Sequence, residues 1–264
     1  MRDLAKLTHS AIFMLLLSGC AADLADGDDV GTAELAALTA NSLTANALTS
    51  SAPMAARLPA NALTADGLMH DAEVAAALED PNARSFLKYV VGCALPAEES
   101  FEIVVDGASY TYSGRSGLAP EWGKPGGSCG ASCQAWVSGC VLSRVNHLGV
   151  TVPLSIRGEH PALALSPGEH DAYPRIEATY YGNVFSTTQT RHACLPPGHA
   201  TDERVCGPSI HGCVIDFVGS CDWACGPVGA SGDYTSCHDA VRGTNGTYPP
   251  GTTTFPGSVT VYLQ

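Results

Sequence analysis

Cysteine is the residue type that most restricts what this chain can fold into. The sequence holds 11 cysteines, and ten of them lie between positions 93 and 237. An even set of this size is typical of exported domains in an oxidising compartment, where cysteines pair with one another. We therefore predict disulfides that involve Cys93, Cys129, Cys133, Cys140, Cys194, Cys206, Cys213, Cys221, Cys225 and Cys237.

The spacing of these cysteines leaves their pairing open, because ten cysteines allow about 945 pairings. Cys133 and Cys140 lie two turns apart on a predicted helix, so each needs a different partner. The alternative is a zinc site that uses Cys129, Cys133, Cys221 and Cys225. Each of these two pairs has three intervening residues, more than is usual in zinc knuckles, and an exported location favours disulfides.

Composition indicates many turns and short strands. The chain has 28 glycines and 17 prolines among 264 residues, and 45 % of its residues are hydrophobic. So many glycines and prolines disfavour long helices, while the hydrophobic share suffices for a packed core. The formal net charge is −13. An acidic chain is a poor partner for nucleic acid and for electrostatic docking on anionic lipid.

The first twenty residues have the organisation of an export signal. A short basic region precedes the apolar run 11–17, which is too short to span a bilayer. The sequence Leu17-Ser18-Gly19-Cys20 follows and resembles the lipobox of bacterial lipoproteins. The resemblance implies a signal peptide over 1–19, cleavage before Cys20, and acylation of the Cys20 thiol and of the new amine. Several acyl chains hold a protein firmly at a membrane, which is thus the first expected partner.

The residue after this cysteine bears on location. In enterobacterial lipoproteins an aspartate there retains the protein at the inner membrane, whereas this chain has Ala21. The resemblance therefore implies a lipid-anchored protein of the cell envelope, at the outer membrane. The preference for arginine over lysine and the cysteine-rich part also resemble uncharacterised predicted lipoproteins of the myxobacterial type.

Residues 20–80 are predicted to form a low-complexity acidic tether. They hold a five-residue repeat, Leu-Thr-Ala-Asn-Xaa, which begins at Leu38 and returns in a related form from Leu58. In one continuous helix each fifth residue is rotated about 140° from the last, so the leucines would not share a face. We therefore expect a disordered spacer between the lipid and the folded part. In the alternative, the leucines dock onto that part.

Residues 81–264 are predicted to form a small, disulfide-rich α+β domain with short antiparallel strands and two or three helices. One helix begins at Asp80-Pro81, and a second runs from Cys133 to Leu148 with Ser132 or Ser128 as its cap. Asp106-Gly107 lies between two β-rich runs and predicts a hairpin. A further short helix is expected at 71–78, and further strands at 150–156, 175–185, 214–218 and 258–263.

Two residues near the start of the second helix are candidates for a catalytic nucleophile. Ser128 is the serine of a Gly-Xaa-Ser-Xaa-Gly sequence, the pattern of a nucleophile elbow, although no β-rich run precedes it. The segment 129–136 resembles the papain family, in which a cysteine at a helix N-terminus is the nucleophile, and the matching residue is Cys133. This chain has one residue more between the two cysteines than the family has.

A repeated Gly-Glu-His triplet is the candidate for a metal site. The first triplet contains Glu159 and His160, and the second contains Glu169 and His170. Carboxylates and imidazoles that face each other across a loop are suitable ligands for a divalent ion. The simpler interpretation is a pair of solvated loops, so no cofactor is expected. Aromatic residues that could form a platform for a glycan are Trp122, Trp136, Trp223, Tyr180 and Tyr181.

These patterns favour a surface protein of the cell envelope over an enzyme. The expected role is structural, or is the binding of a glycan or of another envelope protein. The alternative is an exported hydrolase that uses Cys133 or Ser128, or one with a metal at the Glu-His triplets.

Overall fold

The computed structural model describes residues 42–199, 203–209 and 211–264. The expected signal peptide, Cys20 and the spacer as far as residue 41 lie outside these ranges. Within the described ranges, no helix is long and apolar enough to cross a membrane. The fold is a mixture of helices and mainly antiparallel strands, so the predicted α+β class is confirmed.

Two helices in the described ranges exceed ten residues, and seven others have four to six residues each. The helices are α1 (Ala45–Ser50), α2 (Ala52–Ala55), α3 (Ala65–His70), α4 (Ala72–Ala77), α5 (Pro81–Ala94), α6 (Ala131–Ser143), α7 (Glu169–Ala172), α8 (Glu203–Cys206) and α9 (Cys221–Ala224). The strands are β1 (Ser100–Val105), β2 (Ala108–Ser113), β3 (Leu154–Arg157), β4 (Arg175–Asn183), β5 (Thr190–Leu195), β6 (Asp216–Ser220), β7 (Cys237–His238), β8 (Thr254–Phe255) and β9 (Ser258–Leu263).

A five-stranded sheet in the order β3-β9-β4-β5-β6 separates two apolar regions. Its pairs are antiparallel except for β5 and β6, which are parallel. Side chains alternate between its faces, so Tyr180 of β4 lies in the main core while Tyr181 lies in a second cluster. Helix α6 packs on the main-core face, where a Cβ at Gly139 would be 3.1 Å from the Tyr180 carbonyl oxygen. A side chain at this position would push helix and sheet apart by a few tenths of an ångström, which favours glycine.

Five disulfides are present, as the even cysteine set predicts. They are Cys93–Cys140, Cys129–Cys133, Cys194–Cys221, Cys206–Cys213 and Cys225–Cys237. All four cysteines of the zinc alternative are therefore in disulfides, and Cys133 and Cys140 have different partners.

The disulfides differ in how much they restrict the unfolded chain. Cys93–Cys140 joins residues 47 apart and links α5 to α6, whereas Cys129–Cys133 joins residues 4 apart. The loss of unfolded-chain entropy is worth about 4 kcal/mol for the first and about 2 kcal/mol for the second. The long-range bridge is thus the stronger contributor to the fold.

The expectation of a disordered spacer is wrong for residues 42–80. This segment forms four short helices, and its leucines are buried in the main core together with α5 and α6. The fully buried leucines are Leu43, Leu48, Leu58, Leu63, Leu68 and Leu78. The alternative, in which the leucines dock onto the folded part, is the one that the structure shows for residues 42–80.

The five-residue spacing of the leucines is explained by a series of short helices, and not by one continuous helix. Thr44 is the N-cap of α1 and accepts from the Ala47 N–H, and Thr64 caps α3 through the Gly67 N–H. A leucine precedes each cap and another follows four residues after it, which are the two positions of a hydrophobic staple. Leu43-Thr44 and Leu63-Thr64 therefore each start a short helix, whereas Leu48-Thr49 lies within α1. The chain turns between helices, so that the six leucines of residues 42–80 reach the core.

An ion pair links two parts of this leucine-rich segment. Asp71 caps α4 and accepts from the amides of Glu73 and Val74. The Arg57 guanidinium lies 3.0 Å from the same carboxylate, and Asn61 also donates to it. Chiefly because of the Arg57 bond, the pKa of Asp71 is lowered to about 2.

The other helices and strands predicted from the sequence are present, but their ends are shifted. Helix α5 has Asp80 as its N-cap and a proline at its first position, as predicted. The hairpin of β1 and β2 turns at Asp106 and Gly107, both with positive φ. Helix α6 begins two residues earlier than predicted, at Ala131 with Gly130 rather than a serine as its N-cap, and it is shorter than predicted because it ends at Ser143 instead of Leu148. The strand expected at 150–156 is reduced to β3.

Replacing Leu63 by alanine tests whether the leucine-rich segment belongs to the core. Because this side chain is fully buried, Leu63→Ala is expected to lower the free energy of unfolding by about 2–5 kcal/mol. Met69→Ala is the control, since Met69 is 39 % exposed on α3 and a surface change costs about 0.5 kcal/mol or less. Denaturant unfolding followed by circular dichroism measures both, and two variants of equal stability would contradict the packing.

Candidate anion-binding site

The two candidate nucleophiles lie together in an open groove at the start of α6. We call it the α6 groove; its volume is about 260 Å³. Its lining residues are Leu118, Ala119, Pro120, Glu121, Trp122, Ser128, Ser132, Cys133, Trp136 and His160. Ser128, Cys133 and His160, which the sequence analysis treated as separate candidates, thus share one surface.

Neither candidate nucleophile of the α6 groove is paired with an activating base among the described residues. Cys133 is bonded to Cys129, so it is not a free thiol. The His160 ring accepts from the Ala162 N–H through Nδ1 and packs edge-on against Trp136 at 5.2 Å. Ser128 is exposed and has no hydrogen bond to a histidine among the described residues. A nucleophile activated by a base is therefore not assembled here.

The Glu-His triplets do not converge into a metal site. Glu169 is buried and accepts from the hydroxyls of Ser155 and Ser166, while His170 is exposed next to Asp171. Across the described ranges, the cluster of metal-capable side chains that does converge is Cys194, Cys225 and Cys237, and all three sulfurs belong to disulfides.

The aromatic residues proposed as a glycan platform are mostly in the interior. Trp122 is buried, stands edge-on to Phe185 and donates to the Asn61 carbonyl. Tyr180 and Tyr181 are fully buried on opposite faces of the sheet. Trp136 and Trp223 retain exposed surface but lie in separate places: Trp136 in the α6 groove, and Trp223 against Arg242.

A second cavity, which the sequence analysis missed, has a different chemical character. We call it the Arg144 pocket; it has a volume of about 110 Å³ and lies between α5, β2 and the C-terminal end of α6. Its lining residues are Lys88, Tyr89, Gly92, Cys93, Thr111, Ser113, Arg115 and Arg144. Three of these carry a positive charge, three carry a hydroxyl, and none is a carboxylate.

Arg144 is the central residue of this pocket. It follows the last residue of α6 and is only 2 % exposed. Its Nη2 lies 3.4 Å from Cys140 Sγ, a weak acceptor, and its Nη1 has no hydrogen-bond partner in the part of the chain that the structure describes. Burial, followed by the nearby positive charge of Arg204 and that of Arg115, lowers the pKa of Arg144 to about 9. A charged guanidinium is therefore held in the interior without a counter-charge among the described residues.

The neighbouring Arg204 shows how the same fold satisfies a buried guanidinium. Its Nε donates to Glu177 Oε1 at 2.8 Å, and its Nη2 lies 2.6 Å from Oε2. Its Nη1 donates to the Val145 carbonyl at 2.6 Å. This bidentate pair occupies the Glu177 carboxylate, and among the described residues no carboxylate forms an ion pair with Arg144.

The walls of the pocket are fixed on several sides. The Cys93–Cys140 disulfide joins α5 to α6 behind it. The Tyr89 hydroxyl accepts from the Ser42 N–H at 2.9 Å, and the Arg144 carbonyl accepts from the Leu43 N–H at 3.2 Å. A cavity that is already formed loses less conformational entropy on binding than a flexible one.

The pocket therefore has the properties of a site for a small anion. Guanidinium and ammonium groups bind phosphate, sulfate and carboxylate through charge-assisted hydrogen bonds, and hydroxyls add neutral donors. An anion at Arg144 Nη1 would supply the missing partner. In the sequence the clue is an arginine inside the apolar run Val141-Leu142-Ser143-Arg144-Val145, where a charge is expected only if something pairs with it.

Comparison with family models, with curated proteins and with solved structures found no match to this chain.

Replacing Arg144 by methionine tests whether its charge is unpaired. In the absence of added anions, Arg144→Met is expected to raise the free energy of unfolding by about 1–4 kcal/mol, since an apolar chain of similar length removes an unpaired buried charge. Arg204→Met is the matched control and should lower the free energy of unfolding by about 3–5 kcal/mol, because it leaves the buried Glu177 carboxylate without its partner. Denaturant unfolding compares them. If Arg144→Met lowered the free energy of unfolding as much as Arg204→Met does, Arg144 would already have a good partner.

Proposed function

We propose that this chain is a lipid-anchored protein of the bacterial cell envelope that binds a small anion in the Arg144 pocket. The lipobox resemblance at Cys20 supports the anchor, and five disulfides suit an oxidising compartment. The pocket supports binding as the role, in preference to the catalytic alternatives for which no activated nucleophile or metal cluster is assembled among the described residues.

The observation that carries the proposal is Arg144 itself: its Nη1 is buried without a hydrogen-bond partner among the described residues, and the residue lines a cavity without carboxylates. Burying a charged group without a partner costs several kcal/mol, so folded proteins seldom leave one in this state. The chain as a whole has a net charge of −13, yet three of its 13 basic residues line this one small cavity. General charge balance does not produce such a local concentration, whereas a bound anion accounts for it.

The bound species is a small oxyanion or a carboxylate group. The pocket has a volume of about 110 Å³, enough for a few water molecules or one compact anion, but small for a drug-sized ligand. Two arginines offer planar, bidentate donors, which suit phosphate, sulfate and carboxylate alike. A larger ligand would therefore bind through its anionic group, with the remainder outside the pocket.

Thermal unfolding in different sodium salts tests the binding of an anion. Sulfate or phosphate is expected to raise Tm above its value in chloride at equal ionic strength, with a gain near 2.7 kcal/mol when the anion is about 100-fold above its Kd. Arg115→Gln should weaken the effect and Arg144→Met should abolish it. Arg175→Gln, a change at an exposed arginine outside the pocket, is the control for net charge.

Sulfate also stabilises proteins non-specifically through exclusion from their surface. The rise of Tm in sulfate is therefore compared between the parent protein and Arg144→Met, and only the difference reports binding in the pocket. An equal rise of Tm in both proteins would mean that the pocket holds only water. Calorimetric titration with sulfate adds a pH test. Sulfate stays doubly charged, and Arg144 loses its proton as the pH rises through its pKa of about 9. The affinity should therefore fall above that pH and not below it.

Metabolic labelling with a palmitate analogue tests the anchor separately. The full chain expressed in a bacterium should carry the label and enter the membrane fraction, because several acyl chains hold a protein firmly. Cys20→Ser should lose both properties and leave the unprocessed chain. A labelled Cys20→Ser variant, or an unlabelled parent, would contradict the lipobox interpretation without affecting the pocket.

A further inference from the structure

We propose that the Cys129–Cys133 disulfide exchanges with external dithiols, so that the protein takes two electrons from a reduced cysteine pair and oxidises it to a disulfide. This activity is located in the α6 groove and does not depend on the Arg144 pocket. Three properties of this disulfide support the proposal. One of its sulfurs is accessible from the groove, the position of Cys133 stabilises a thiolate, and the fold does not depend on the bond.

Access to the two sulfurs is unequal. Cys133 is half-buried and lines the open α6 groove, whereas Cys129 is only 3 % exposed and is not a lining residue. A thiolate that enters the groove therefore meets Cys133 Sγ first. Leu118 and Trp136 in the same groove offer apolar contacts for the residues that flank a substrate cysteine. One exposed and one protected sulfur is the arrangement that directs attack to a single atom.

The position of Cys133 favours its thiolate. It is the third residue of α6, a helix of 13 residues. The N-cap is Gly130, which offers no side chain to the first-turn amides. These N–H groups and the helix dipole stabilise a negative charge nearby and lower the pKa of a cysteine thiol at a helix N-terminus. Cys133 is therefore a good leaving group once a mixed disulfide has formed on it.

The fold depends little on this bridge. It joins residues only 4 apart, the shortest separation of the five disulfides. Hydrogen bonds hold Cys129 independently, since its N–H donates to the Pro59 carbonyl and its carbonyl accepts from Gln134 Nε2. When the bond opens, both cysteines stay in place, and they can close it again without refolding.

The exchange balances in two steps. The first thiolate of the substrate attacks Cys133 Sγ, a bond forms between the two sulfurs, and Cys129 leaves as a thiolate that takes up a proton. The second thiolate of the substrate then attacks the substrate sulfur of this mixed disulfide and expels the Cys133 thiolate. Two substrate thiols have become a disulfide, and the protein holds the two electrons as the pair Cys129 and Cys133.

A second short disulfide in the same protein provides the contrast. Cys206–Cys213 joins residues 7 apart, and both of its cysteines are half-buried. Cys206, however, is the last residue of α8, a helix of four residues. The C-terminal end of a helix disfavours negative charge, so a thiolate at Cys206 has no such stabilisation. Both bridges close short loops and each has at least one half-buried cysteine, but they differ in the electrostatics on which the proposal depends.

Limited reduction of the native protein tests the proposal. The full chain is treated with dithiothreitol below its unfolding conditions, quenched with one alkylating agent, then fully reduced and treated with a second. Peptide mass spectrometry gives the rate for each bridge. We expect net reduction of Cys129–Cys133 to be about 10-fold or more faster than that of Cys206–Cys213, because the second step expels the Cys133 thiolate, and a leaving group of lower pKa leaves faster. Equal rates, or a faster Cys206–Cys213, would overturn the proposal.

Two single variants separate the roles of the cysteines. Cys129→Ser leaves Cys133 alone in the groove, and its thiolate absorbance should titrate well below the ordinary value of about 8.5 for cysteine. Cys133→Ser leaves the buried Cys129, which should react far more slowly with an aromatic disulfide reagent. Equal reactivity of the two variants would show that neither position is selected for exchange. Neither change breaks the long-range bridges, so both proteins are expected to fold.

Discussion

The disulfide between Cys93 and Cys140 joins the two long helices, and much of the structure depends on this connection. Cys140 lies on α6 next to Gly139, whose missing side chain allows the helix to contact the sheet. Cys93 lies on α5, against which the leucine-rich segment packs. One covalent bond therefore connects the sheet layer, α6, α5 and the N-terminal segment, in a chain with few ion pairs between its elements.

This connection also explains how an unpaired charge can persist in the interior. The end of α6 is held by the disulfide and by its packing on the sheet, which keeps the backbone of Arg144 in the interior. Other buried arginines of the fold have partners: Arg204 has Glu177, and Arg157 lies 3.5 Å over the Tyr262 ring and donates to the Tyr173 carbonyl. Arg144 thus differs from these two arginines, although among the described residues Arg242 Nε is likewise buried without a hydrogen-bond partner.

The sequence predicts those features that arise from local chemistry. Asp80-Pro81 marks the start of α5, Asp106-Gly107 marks the hairpin turn, and the even cysteine set indicates the disulfides. The leucine repeat was misjudged because a rotation of about 140° between leucines assumes one continuous helix. The Leu-Thr pairs were a readable sign of repeated helix starts, as the caps at Thr44 and Thr64 show. The Arg144 pocket was beyond prediction, because it combines residues from α5, β2 and α6 whose proximity is set by tertiary packing.

The way in which the chain enters the fold has a mechanical consequence. Leu43 forms an isolated parallel β-bridge with Val145, and the Ser42 hydroxyl is hydrogen-bonded to the Tyr89 hydroxyl. The first described residues are thus attached directly to the walls of the Arg144 pocket. A pulling force applied to the N-terminal side of Ser42 would load these few hydrogen bonds before it reached any disulfide. The pocket would then be strained by tension, while the covalently closed regions beyond Cys93 would bear the remaining load without extension.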